Sequence, residues 1–441
     1  MIYDRRRRVP PAKERSMPRL PALIALLVCT SPLAAASDWT QFRGPDGQGH
    51  SSAQNVPLTW SETENITWKT AVPGRGWSSP AIRGNQIWLT TAVDDGRSLR
   101  AIAVDRTSGA ILHDVEVFQL DDPGSIHANN SHASPTPFID GDRIFVHFGA
   151  HGTACLASDG EVLWKTQELK YNHRHGPGGS PVVWKDLVFL NCDGSDVQYV
   201  VALDKHTGRI RWKHERQHIS QQRKDGELPV PMAYCTPLLI EVDGQTQLVS
   251  LGSDAIVAHE PSTGEEIWWF AYSGYSNVAR PVYAQGMLFV SSGFGNPVLY
   301  AFKAGGSGDI TETALVWKDA KGSVVPLDVS PLVVGDELYT ISDAGIAVCY
   351  DVATGKTHWL KRLGGKFWAS PVLADGRIYC VNAEGKTIVM APGTKYEELA
   401  VNELDGAAQA SPAIVDGSIF LRTDTHLYRI DENGTADADA S

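Results

Sequence analysis

The sequence predicts an all-β fold: an eight-bladed β-propeller of four-stranded antiparallel blades, closed by an N-terminal strand that completes the last blade. Three observations support this prediction: a composition rich in turn formers, eight Ser/Thr-Pro steps, and a recurring Gly-to-Trp turn. The 441 residues include 41 Gly and 25 Pro, and 42% are hydrophobic, enough for a large core. The formal charge is −12, so no net positive field attracts nucleic acid.

The first 36 residues are expected to be a secretory signal peptide. A cationic start follows Met17, and an apolar run over 20–28 precedes small residues at Ala34 and Ala36, as at an Ala-x-Ala cleavage site. The run is too short for a stable membrane span, so no transmembrane anchor is expected after cleavage. Both Met1 and Met17 remain open as the start. The sequence therefore predicts an exported protein, periplasmic or extracellular, whose mature charge is −17, with 32 Lys and Arg against 49 Asp and Glu.

Export also bears on the cysteines. Five of them follow the signal peptide, and no Cys-x-x-Cys or Cys-x-x-Cys-His motif occurs. A zinc ribbon, a thioredoxin-type centre and an attached c-type haem are therefore unsupported. We expect small buried side chains within strands, although an odd number leaves at least one thiol free or paired between chains. They are Cys155, Cys192, Cys235, Cys349 and Cys380.

Eight Ser/Thr-Pro steps divide the chain into units, and Arg280 replaces the hydroxyl residue once. The unit over 330–359 reads SPLVV, a Gly-Asp turn, ELYTI, SDAG, IAVCYD, ATG and KTHW. Period-2 runs separated by Gly-containing turns are typical of antiparallel strands, four per unit. The steps lie at Pro80, Pro135, Pro181, Pro237, Pro281, Pro331, Pro371 and Pro412.

Tryptophans that follow the last Gly-containing turn of a unit are predicted to pack against the neighbouring sheet and so to dock the two blades together. A glycine can turn the chain with positive φ, and an indole four residues later offers a large apolar area to the next sheet. A structural role is therefore favoured over a ligand platform. The docking candidates are Trp68, Trp164, Trp212, Trp268 and Trp359.

Eight such sheets cannot bury both faces alone, and closure into a ring solves this while leaving only short edges. The last unit ends at LYRI without its own Gly-x-x-x-Trp strand, whereas NITWK at 65–69 precedes the first unit. Joining these two segments in one blade would close the ring. The predicted organisation is a signal peptide over 1–36, a lead-in segment over 37–59, one propeller over 60–431 and an acidic tail over 432–441.

Four stretches carry a further motif: LRAIAVDRTSGAILH from Leu99, VVALDKHTGRIRW from Val200, IVAHEPSTGEEIWW from Ile256 and AVCYDVATGKTHW from Ala347. They resemble the tryptophan-docking motif of the pyrroloquinoline-quinone-like (PQQ-like) β-propeller repeat proteins. The opening DWTQFRGPDGQG, at 38–49, also resembles a segment that begins many exported members. The motif is specific for fold but weak for activity, because the repeat builds blades whether or not a quinone binds.

The resemblance implies two functional classes. One contains noncatalytic scaffolds such as the outer-membrane β-barrel assembly factor BamB, which implies no cofactor. The other contains the quinoprotein dehydrogenases, which hold PQQ beside Ca²⁺ with carboxylate and amide oxygens and oxidise an alcohol or sugar. Alcohol-oxidising members commonly have adjacent cysteines, and some have a fused haem module, but this sequence shows neither signature. The absence of both signatures argues more strongly against a close relative of these dehydrogenases than against quinone binding in general.

Residues just before each Ser/Thr-Pro step are predicted to rim a central funnel, the default ligand site. Three positions before the prolines stand Trp77, His132, Gly178, Tyr234, Val278, Asp328, Trp368 and Gln409. The funnel candidates are Trp77, His132, Tyr234, Arg280, Asp328 and Trp368. In the quinoprotein alternative, Trp77 or Trp368 stacks on the quinone, Asp328 is a base or Ca²⁺ ligand, and Arg280 polarises a carbonyl. A plugged, water-filled channel is the competing interpretation.

Histidines are concentrated in the links before the second, third and fourth Ser/Thr-Pro steps, with Arg, Lys and Asn beside them. They give one sector of an acidic protein a cationic or pH-sensitive character. Solvated loop residues, an anion or polar-ligand patch and a transition-metal site all remain open, although NHRH at 172–175 lacks zinc-site spacing. The candidates on this face are His127, His173, His175, His214 and His218, with His132 nearby.

The function that best fits these features is an exported, noncatalytic binding or scaffolding module of the cell envelope. Its expected partner is an envelope protein, a polysaccharide or a small polar ligand. No catalytic residue is assigned, since no G-x-S-x-G elbow, Walker loop, Rossmann fingerprint or HExxH motif occurs.

Overall fold

The computed structural model describes residues 1–3, 8, 10–11, 38–219 and 230–432. The chain divides into two units, Met1–Ala35 and Ala36–Ser441. In the first unit, the few described residues belong to no helix or strand. Most of the predicted signal peptide and nearly all of the predicted acidic tail therefore lie outside the described residues. Across the described ranges, no helix is long and apolar enough to cross a membrane.

The described residues of the second unit form eight sheets, seven of four antiparallel strands and one with a short fifth strand, so the predicted eight-bladed propeller is confirmed. The first strand is β1 (Ile66–Ala71). Blade 1 contains β2 (Ala81–Arg83), β3 (Gln86–Val93), β4 (Ser98–Asp105) and β5 (Ile111–Gln119). Blade 2 contains β6 (Phe138–Asp140), β7 (Arg143–His147), β8 (Thr153–Ala157) and β9 (Val162–Thr166). Blade 3 contains β10 (Val182–Trp184), β11 (Leu187–Asp193), β12 (Gln198–Asp204) and β13 (Ile210–Glu215).

The other blades repeat this order. Blade 4 contains β14 (Leu238–Val242), β15 (Gln245–Leu251), β16 (Ala255–His259) and β17 (Glu266–Ala271). Blade 5 contains β18 (Val282–Ala284), β19 (Met287–Ser291), β20 (Leu299–Lys303) and, after β21 (Gly308–Asp309) and α1 (Thr311–Ala314), β22 (Leu315–Asp319). Blade 6 contains β23 (Leu332–Val334), β24 (Glu337–Ile341), β25 (Ile346–Asp351) and β26 (Thr357–Arg362). Blade 7 contains β27 (Val372–Ala374), β28 (Arg377–Val381), β29 (Lys386–Met390) and β30 (Glu398–Glu403), and blade 8 contains β31 (Ala413–Val415), β32 (Ser418–Arg422), β33 (His426–Ile430) and β1.

Short 3-10 turns lie at Asp94–Gly96, Gly149–His151 and Gly322–Val324.

Burial depends on the position of a strand within its blade. The second strand β11 is buried along its whole length, whereas the outer strand β13 alternates between partly exposed and exposed side chains. Neighbouring blades cover both faces of a middle strand, while an outer strand meets solvent. The continuous apolar runs of the middle strands follow from this packing.

The ring closes through pairing between the two ends of the propeller sequence. Strand β1 pairs antiparallel with β33, with Lys69 opposite Tyr428 and Ala71 opposite His426. The prediction that NITWK completes the last blade is therefore confirmed. Blade 8 therefore has four strands, and β1 is its outer strand.

Blade 4 departs from the expected four strands. The two-residue strand β21 pairs in parallel with β17, placing Gly308 opposite Trp268 and Asp309 opposite Trp269. The outer strand of a blade has an unpaired edge, and the long segment between β20 and β22 reaches back to cover it. A two-residue strand has no detectable sequence period, so the sequence did not predict it.

Four of the five predicted docking tryptophans connect their blade to the next one. The indole N–H of Trp164 donates to Lys205 O at 2.9 Å, and that of Trp359 donates to Gly393 O at 3.0 Å. Trp68 and Trp212 donate in the same way to Arg106 O at 3.1 Å and Pro261 O at 2.9 Å. In each pair the accepting carbonyl lies in the turn before the outer strand of the following blade.

Trp268 and Trp317 differ from the pattern in the sequence. Trp268 is fully buried but donates within its own blade, to Gln247 Oε1 at 2.8 Å, because the segment containing β21 replaces the expected turn of blade 5. The sequence did not identify Trp317 as a docking residue, because Thr313 occupies the glycine position of the Gly-x-x-x-Trp motif. Its indole nevertheless donates to Val352 O of blade 6 at 2.9 Å.

Glycine is required where an indole lies against the turn of the next blade. Gly208 has φ +71, and a Cβ there would lie 2.5 Å from the Trp164 ring. Gly141 has φ +65, but a Cβ there meets no atom within 4 Å. The backbone strain of an alanine should be similar at both positions, about 1–2 kcal/mol, whereas only Gly208→Ala displaces an indole.

We expect Gly208→Ala to lower the free energy of unfolding by about 1–3 kcal/mol more than Gly141→Ala. Urea unfolding followed by tryptophan fluorescence measures both losses. Equal losses in the two variants would contradict a steric role for the glycine beneath Trp164.

The five cysteines after the predicted signal peptide are buried and form no disulfide with one another. Burial raises the pKa of Cys155 to about 11 and that of Cys235 to about 12. Both thiols are therefore protonated near neutral pH, in agreement with the expectation of small buried side chains.

Candidate functional site

A ring of hydrogen bonds surrounds the propeller axis where the inner strands begin. The backbone N–H of each residue before the proline donates to the hydroxyl of the equivalent residue in the next blade, at distances such as 2.9 Å from Ser79 N to Thr136 Oγ1. Seven such bonds form, and the ring is interrupted where Thr236 faces Arg280, which has no hydroxyl group. This hydroxyl collar consists of Ser79, Thr136, Ser180, Thr236, Arg280, Ser330, Ser370 and Ser411.

The collar corrects the predicted register of blade 2. Thr136, and not Ser134, occupies the collar position, so the repeat step is Thr136-Pro137 and not the predicted step at Pro135. The sequence SPTP contains two hydroxyl-proline steps, and a two-residue shift keeps every side chain on the same face of the strand. Local periodicity therefore could not choose between the two steps.

With this correction, one position per blade lines the open funnel. The residues two positions before the collar are all partly exposed, whereas most of those that follow them are buried. This funnel column consists of Trp77, Ser134, Gly178, Tyr234, Val278, Asp328, Trp368 and Gln409. Four predicted candidates, Trp77, Tyr234, Asp328 and Trp368, belong to it. His132 is 8% exposed and lies two residues before the column position.

Two carboxyl groups meet at the funnel column. Asp343 Oδ1 accepts hydrogen bonds from the backbone N–H groups of Leu327 and Asp328 at 3.1 and 3.2 Å. Burial, together with the charge of Asp343, raises the pKa of Asp328 to about 8, and burial also raises the pKa of Asp343. The pair therefore holds a shared proton near neutral pH. The sequence identified Asp328 but not its partner, which lies in the SDAG turn.

Arg280 does not serve the funnel. Its Nε and Nη2 donate to Pro237 O at 3.1 and 2.7 Å, and its Nη1 donates to Phe42 O and Gly47 O at 3.1 and 3.0 Å. The guanidinium is thus directed toward the lead-in segment, beyond the collar. The predicted role of polarising a quinone carbonyl does not fit this orientation.

The lead-in segment crosses the opposite mouth of the channel. Trp39 and Ile82 of blade 1 exchange backbone hydrogen bonds at 2.8 Å, and Leu373 N of blade 7 donates to Gly49 O at 2.8 Å. His50 Nε2 lies 2.8 Å from Val333 O of blade 6. We call residues 38–51 the plug. It also bonds to the inner strands of blades 2, 5 and 8, so the funnel column lines the mouth opposite the plug.

Histidines near the funnel form a largely buried chain of rings in blade 2 and in the links before and after it. The His151 ring centroid lies 4.8 Å from that of His173 and 5.8 Å from that of His132. Burial, strengthened by neighbouring imidazoles, lowers the pKa of His147 and His173 to about 3 and that of His151 to about 4. These rings are therefore neutral at pH 7, which does not fit the predicted cationic character. The sequence missed His147 and His151, which lie on β7 and in the 3-10 turn after it.

The remaining histidine candidates separate into two places. His127 and His175 stand edge to face, 5.7 Å between centroids, beside the funnel residue Tyr234. His214 and His218 instead lie at the outer strands, where His218 stacks on Trp269 at 4.0 Å. His218 Nε2 also lies 2.9 Å from the Glu266 carboxylate, and His214 Nε2 lies 3.8 Å from it. The histidines that were predicted to share one face therefore do not form one patch.

One of the cations expected beside these histidines, Arg216, is not available to bind an anion. Arg216 makes a buried ion pair with Asp193, at 2.5 and 2.7 Å, and Arg223 lies outside the described residues. Within the described part of the chain, no group of three or more His, Cys, Asp or Glu side chains is placed to hold a metal ion.

Comparison with known proteins now assigns the family. A family model described as outer membrane protein assembly factor BamB matches residues 52–190, 100–230 and 307–395, which together span more than half of the chain. The chain belongs to this PQQ-like β-propeller family. No curated protein sequence matches it.

Solved structures share the PQQ-like propeller fold at low identity. BamB from Moraxella catarrhalis is 13% identical, with a TM-score of 0.57, and the match covers 83% of this chain and 99% of that one. Quinohemoprotein alcohol dehydrogenase from Comamonas testosteroni is 10% identical, with a TM-score of 0.64 and coverages of 92% and 82%. A europium-containing methanol dehydrogenase is 12% identical, with a TM-score of 0.53 and coverages of 89% and 90%. These similarities establish the fold.

The residues of this PQQ-like propeller fit a quinone with Ca²⁺ poorly. Trp77 and Trp368 offer aromatic faces in the funnel, but Arg280 is directed away from it. Asp328 and Asp343 bring only two carboxyl groups to the funnel, and within the described ranges no group of three or more His, Cys, Asp or Glu side chains could hold a metal ion, whereas Ca²⁺ takes six to eight oxygen ligands. We therefore derive no reaction step through a quinone.

Proposed function

We propose that this protein is a noncatalytic binding module of the cell envelope that recognises an envelope protein at its open funnel. The observation that carries this proposal is the division of the channel. The plug occupies one mouth, while the other presents one partly exposed side chain from each blade. The collar beneath is nearly uniform, whereas the funnel column mixes aromatic, amide, carboxyl and small residues. A constant frame with variable side chains suits recognition.

The chemistry of the funnel column favours a polypeptide partner. Trp77, Tyr234 and Trp368 are residue types enriched at protein interfaces, where their large rings bury apolar area at low entropic cost. Tyr234 additionally lies beside the paired rings of His127 and His175. The family model and one solved relative carry the name of an outer-membrane assembly factor, which supports an envelope location and a protein partner.

A second candidate is a quinoprotein that oxidises an alcohol or sugar. The observation that favours it is Asp328, which lies beside Asp343 in the funnel, because a carboxyl group whose pKa lies near the working pH can exchange a proton with a substrate. The poor fit of the surrounding residues to Ca²⁺ and a quinone makes this the second candidate.

Site-specific photo-cross-linking tests the first candidate. We expect p-benzoyl-phenylalanine at position 368 or 234 to cross-link the same envelope protein, because both positions face the open funnel. The matched control is position 283, since Tyr283 is also a partly exposed aromatic residue but its backbone N–H is bonded to plug residue Gln48 at 2.6 Å. Cross-linked products are identified by mass spectrometry after purification from envelope extracts.

Two results would overturn the proposed binding function. One is the absence of a common product from positions 368 and 234, and the other is the same product from position 283. A parallel incubation with PQQ and Ca²⁺ tests the alternative through dye-linked oxidation of alcohols and aldoses. Turnover that Asp328→Asn abolishes would replace the binding proposal with the oxidoreductase.

A further inference from the structure

One sector of the funnel wall is held in place by histidine rings. The 3-10 turn Gly149–His151 packs against the link over 167–179, which contains the funnel-column residue Gly178. In this link, His175 lies beside Tyr234 of the funnel column, with ring centroids 6.1 Å apart. We call the turn and the link together the histidine wall. A change in its position would alter the open funnel directly.

The contact between the turn and the link requires a neutral imidazole. The backbone N–H of Ala150 donates to His173 Nδ1 at 3.2 Å, so this nitrogen carries a lone pair and no proton. A Cβ on Gly149 would lie 2.3 Å from the same nitrogen, so the backbone of the turn lies directly against the ring. Protonation of His173 would place two N–H groups against each other. The titratable groups that face this ring are His132, His147, His151 and Tyr171.

The neighbouring rings are equally unsuited to a positive charge. Buried His132 Nδ1 and His151 Nε2 meet no hydrogen-bond partner among the described residues. His147 Nδ1 lies 2.8 Å from Thr153 Oγ1, and its Nε2 lies 3.3 Å from Tyr171 OH. The ion pairs of histidines in the described ranges involve other rings. An imidazolium here would be a buried charge without a counter-ion, which is costly.

The charged groups around these rings also favour the neutral form. Burial lowers the pKa of His132, and the charge of Arg75 lowers it further. Burial lowers the pKa of His151 to about 4, where His132 and Lys170 act in the same direction and a backbone carbonyl and the Asp122 carboxylate act against them. Two cations from the flanking links therefore oppose a single carboxylate.

We propose that the histidine wall is an acid-sensitive gate of the funnel, which opens when its histidines take up protons. The turn and the link contain no strand residues, so they can move while the blades keep their hydrogen bonds. In the open form the rings reach water and titrate near pH 6.5. Lowering the pH from 7 to 5 should therefore raise the open fraction about 25-fold for each histidine released. The gate is a property of the chain itself and does not depend on which partner the funnel binds.

Hydrogen exchange at pH 7 and pH 5, corrected for the intrinsic exchange rates, tests the gate. We expect the protection of the Ala150 and Gly176 amides, which are hydrogen-bonded within the wall, to fall about 25-fold or more. The link over 272–281 is the control, because it contributes Val278 to the same funnel and contains no histidine. The amide of Ser276, which donates to Met232 O at 2.7 Å, should keep its protection.

An asparagine at position 173 separates the gate from simple packing. In His173→Asn the side-chain oxygen can still accept from Ala150 N–H but does not titrate, so the fall in protection should become about 25-fold smaller. The matched control is His206→Asn, at an exposed ring outside the wall, which should respond like the wild type.

Two results would overturn the proposal: an equal fall in the wall and in the control link, or an undiminished fall in His173→Asn. If this variant fails to fold, the ring ¹⁵N chemical shifts of the wild type decide the question. At pH 6 His173 should show an unprotonated Nδ1 and a protonated Nε2, whereas an imidazolium spectrum in the folded protein would exclude the gate.

Discussion

Lowering the pH from 7 to 5 should reduce the free energy of unfolding by about 2 kcal/mol for each fully neutral buried histidine, or about 6 kcal/mol for three. The three are His147, His173 and His259, which are 2%, 9% and 1% exposed. Burial, strengthened by neighbouring positive or imidazole groups, lowers the pKa of each to about 3.

The sign of this effect follows from proton binding. In the unfolded chain these histidines take up protons below about pH 6.5, whereas in the folded protein they stay neutral until about pH 3. Their contribution to stability is therefore complete above pH 6.5 and is lost as the pH falls from 6.5 toward 3. Acid should destabilise the propeller well before its carboxylates are fully protonated.

Urea unfolding at pH 7, 6 and 5 measures this loss. His259 lies between the Trp212 and His214 rings, with centroids 6.3 and 4.9 Å away. His259→Leu should therefore retain most of the stability at pH 7 and remove about 2 kcal/mol of the loss at pH 5. The control is His206→Gln, at a side chain 49% exposed, which should leave the pH profile unchanged. A His259→Leu profile identical to that of the wild type would contradict the assignment.

The second large effect concerns closure of the ring. Trp68→Ala should lower the free energy of unfolding by about 3–5 kcal/mol, because it removes a buried indole and leaves a cavity. Trp68 is 9% exposed, lies 6.0 Å from the Phe420 ring and donates to Arg106 O in blade 1. It stands on β1, the strand that joins the two ends of the propeller sequence.

Hydrogen exchange distinguishes closure from ordinary packing. Trp359→Ala removes an equivalent docking indole within blade 6, so its stability loss should also be large, but amide protection in β1 and β33 should persist. Trp68→Ala should lose that protection first, because β1 is held to the ring by β33 and this docking contact. Unchanged protection of β1 and β33 in Trp68→Ala would show that the indole does not maintain closure.

Much of the fold could be predicted because its signals are local. Alternating apolar residues, glycine turns and the incomplete last unit led to eight blades and to the pairing of β1 with β33. The motif failed where a local signal was absent or ambiguous. Thr313 stands in place of the glycine that would have identified Trp317, and SPTP offered two equivalent steps in blade 2.

The candidate site was only partly predictable. Trp77, Tyr234, Asp328 and Trp368 were found because each occupies the same place in its own repeat. Asp343 was not identified, since it lies in a turn and meets Asp328 only when the blade folds. The histidine sector was divided for a related reason: His175 and His214 follow one another along the repeats, but one is beside the funnel and the other on an outer strand.

By itself, the sequence determined the number of blades, the strand order and the closing strand, because periodicity and turn chemistry act between residues close along the chain. Only the tertiary structure decided the collar register, the plug and the buried arginines. The plug sets His50 beside Val333 and Arg43 beside Pro371, contacts that no local pattern encodes. They exist because closing the ring brings all eight inner strands around one axis, where a segment from the N-terminal end can bond to six of them.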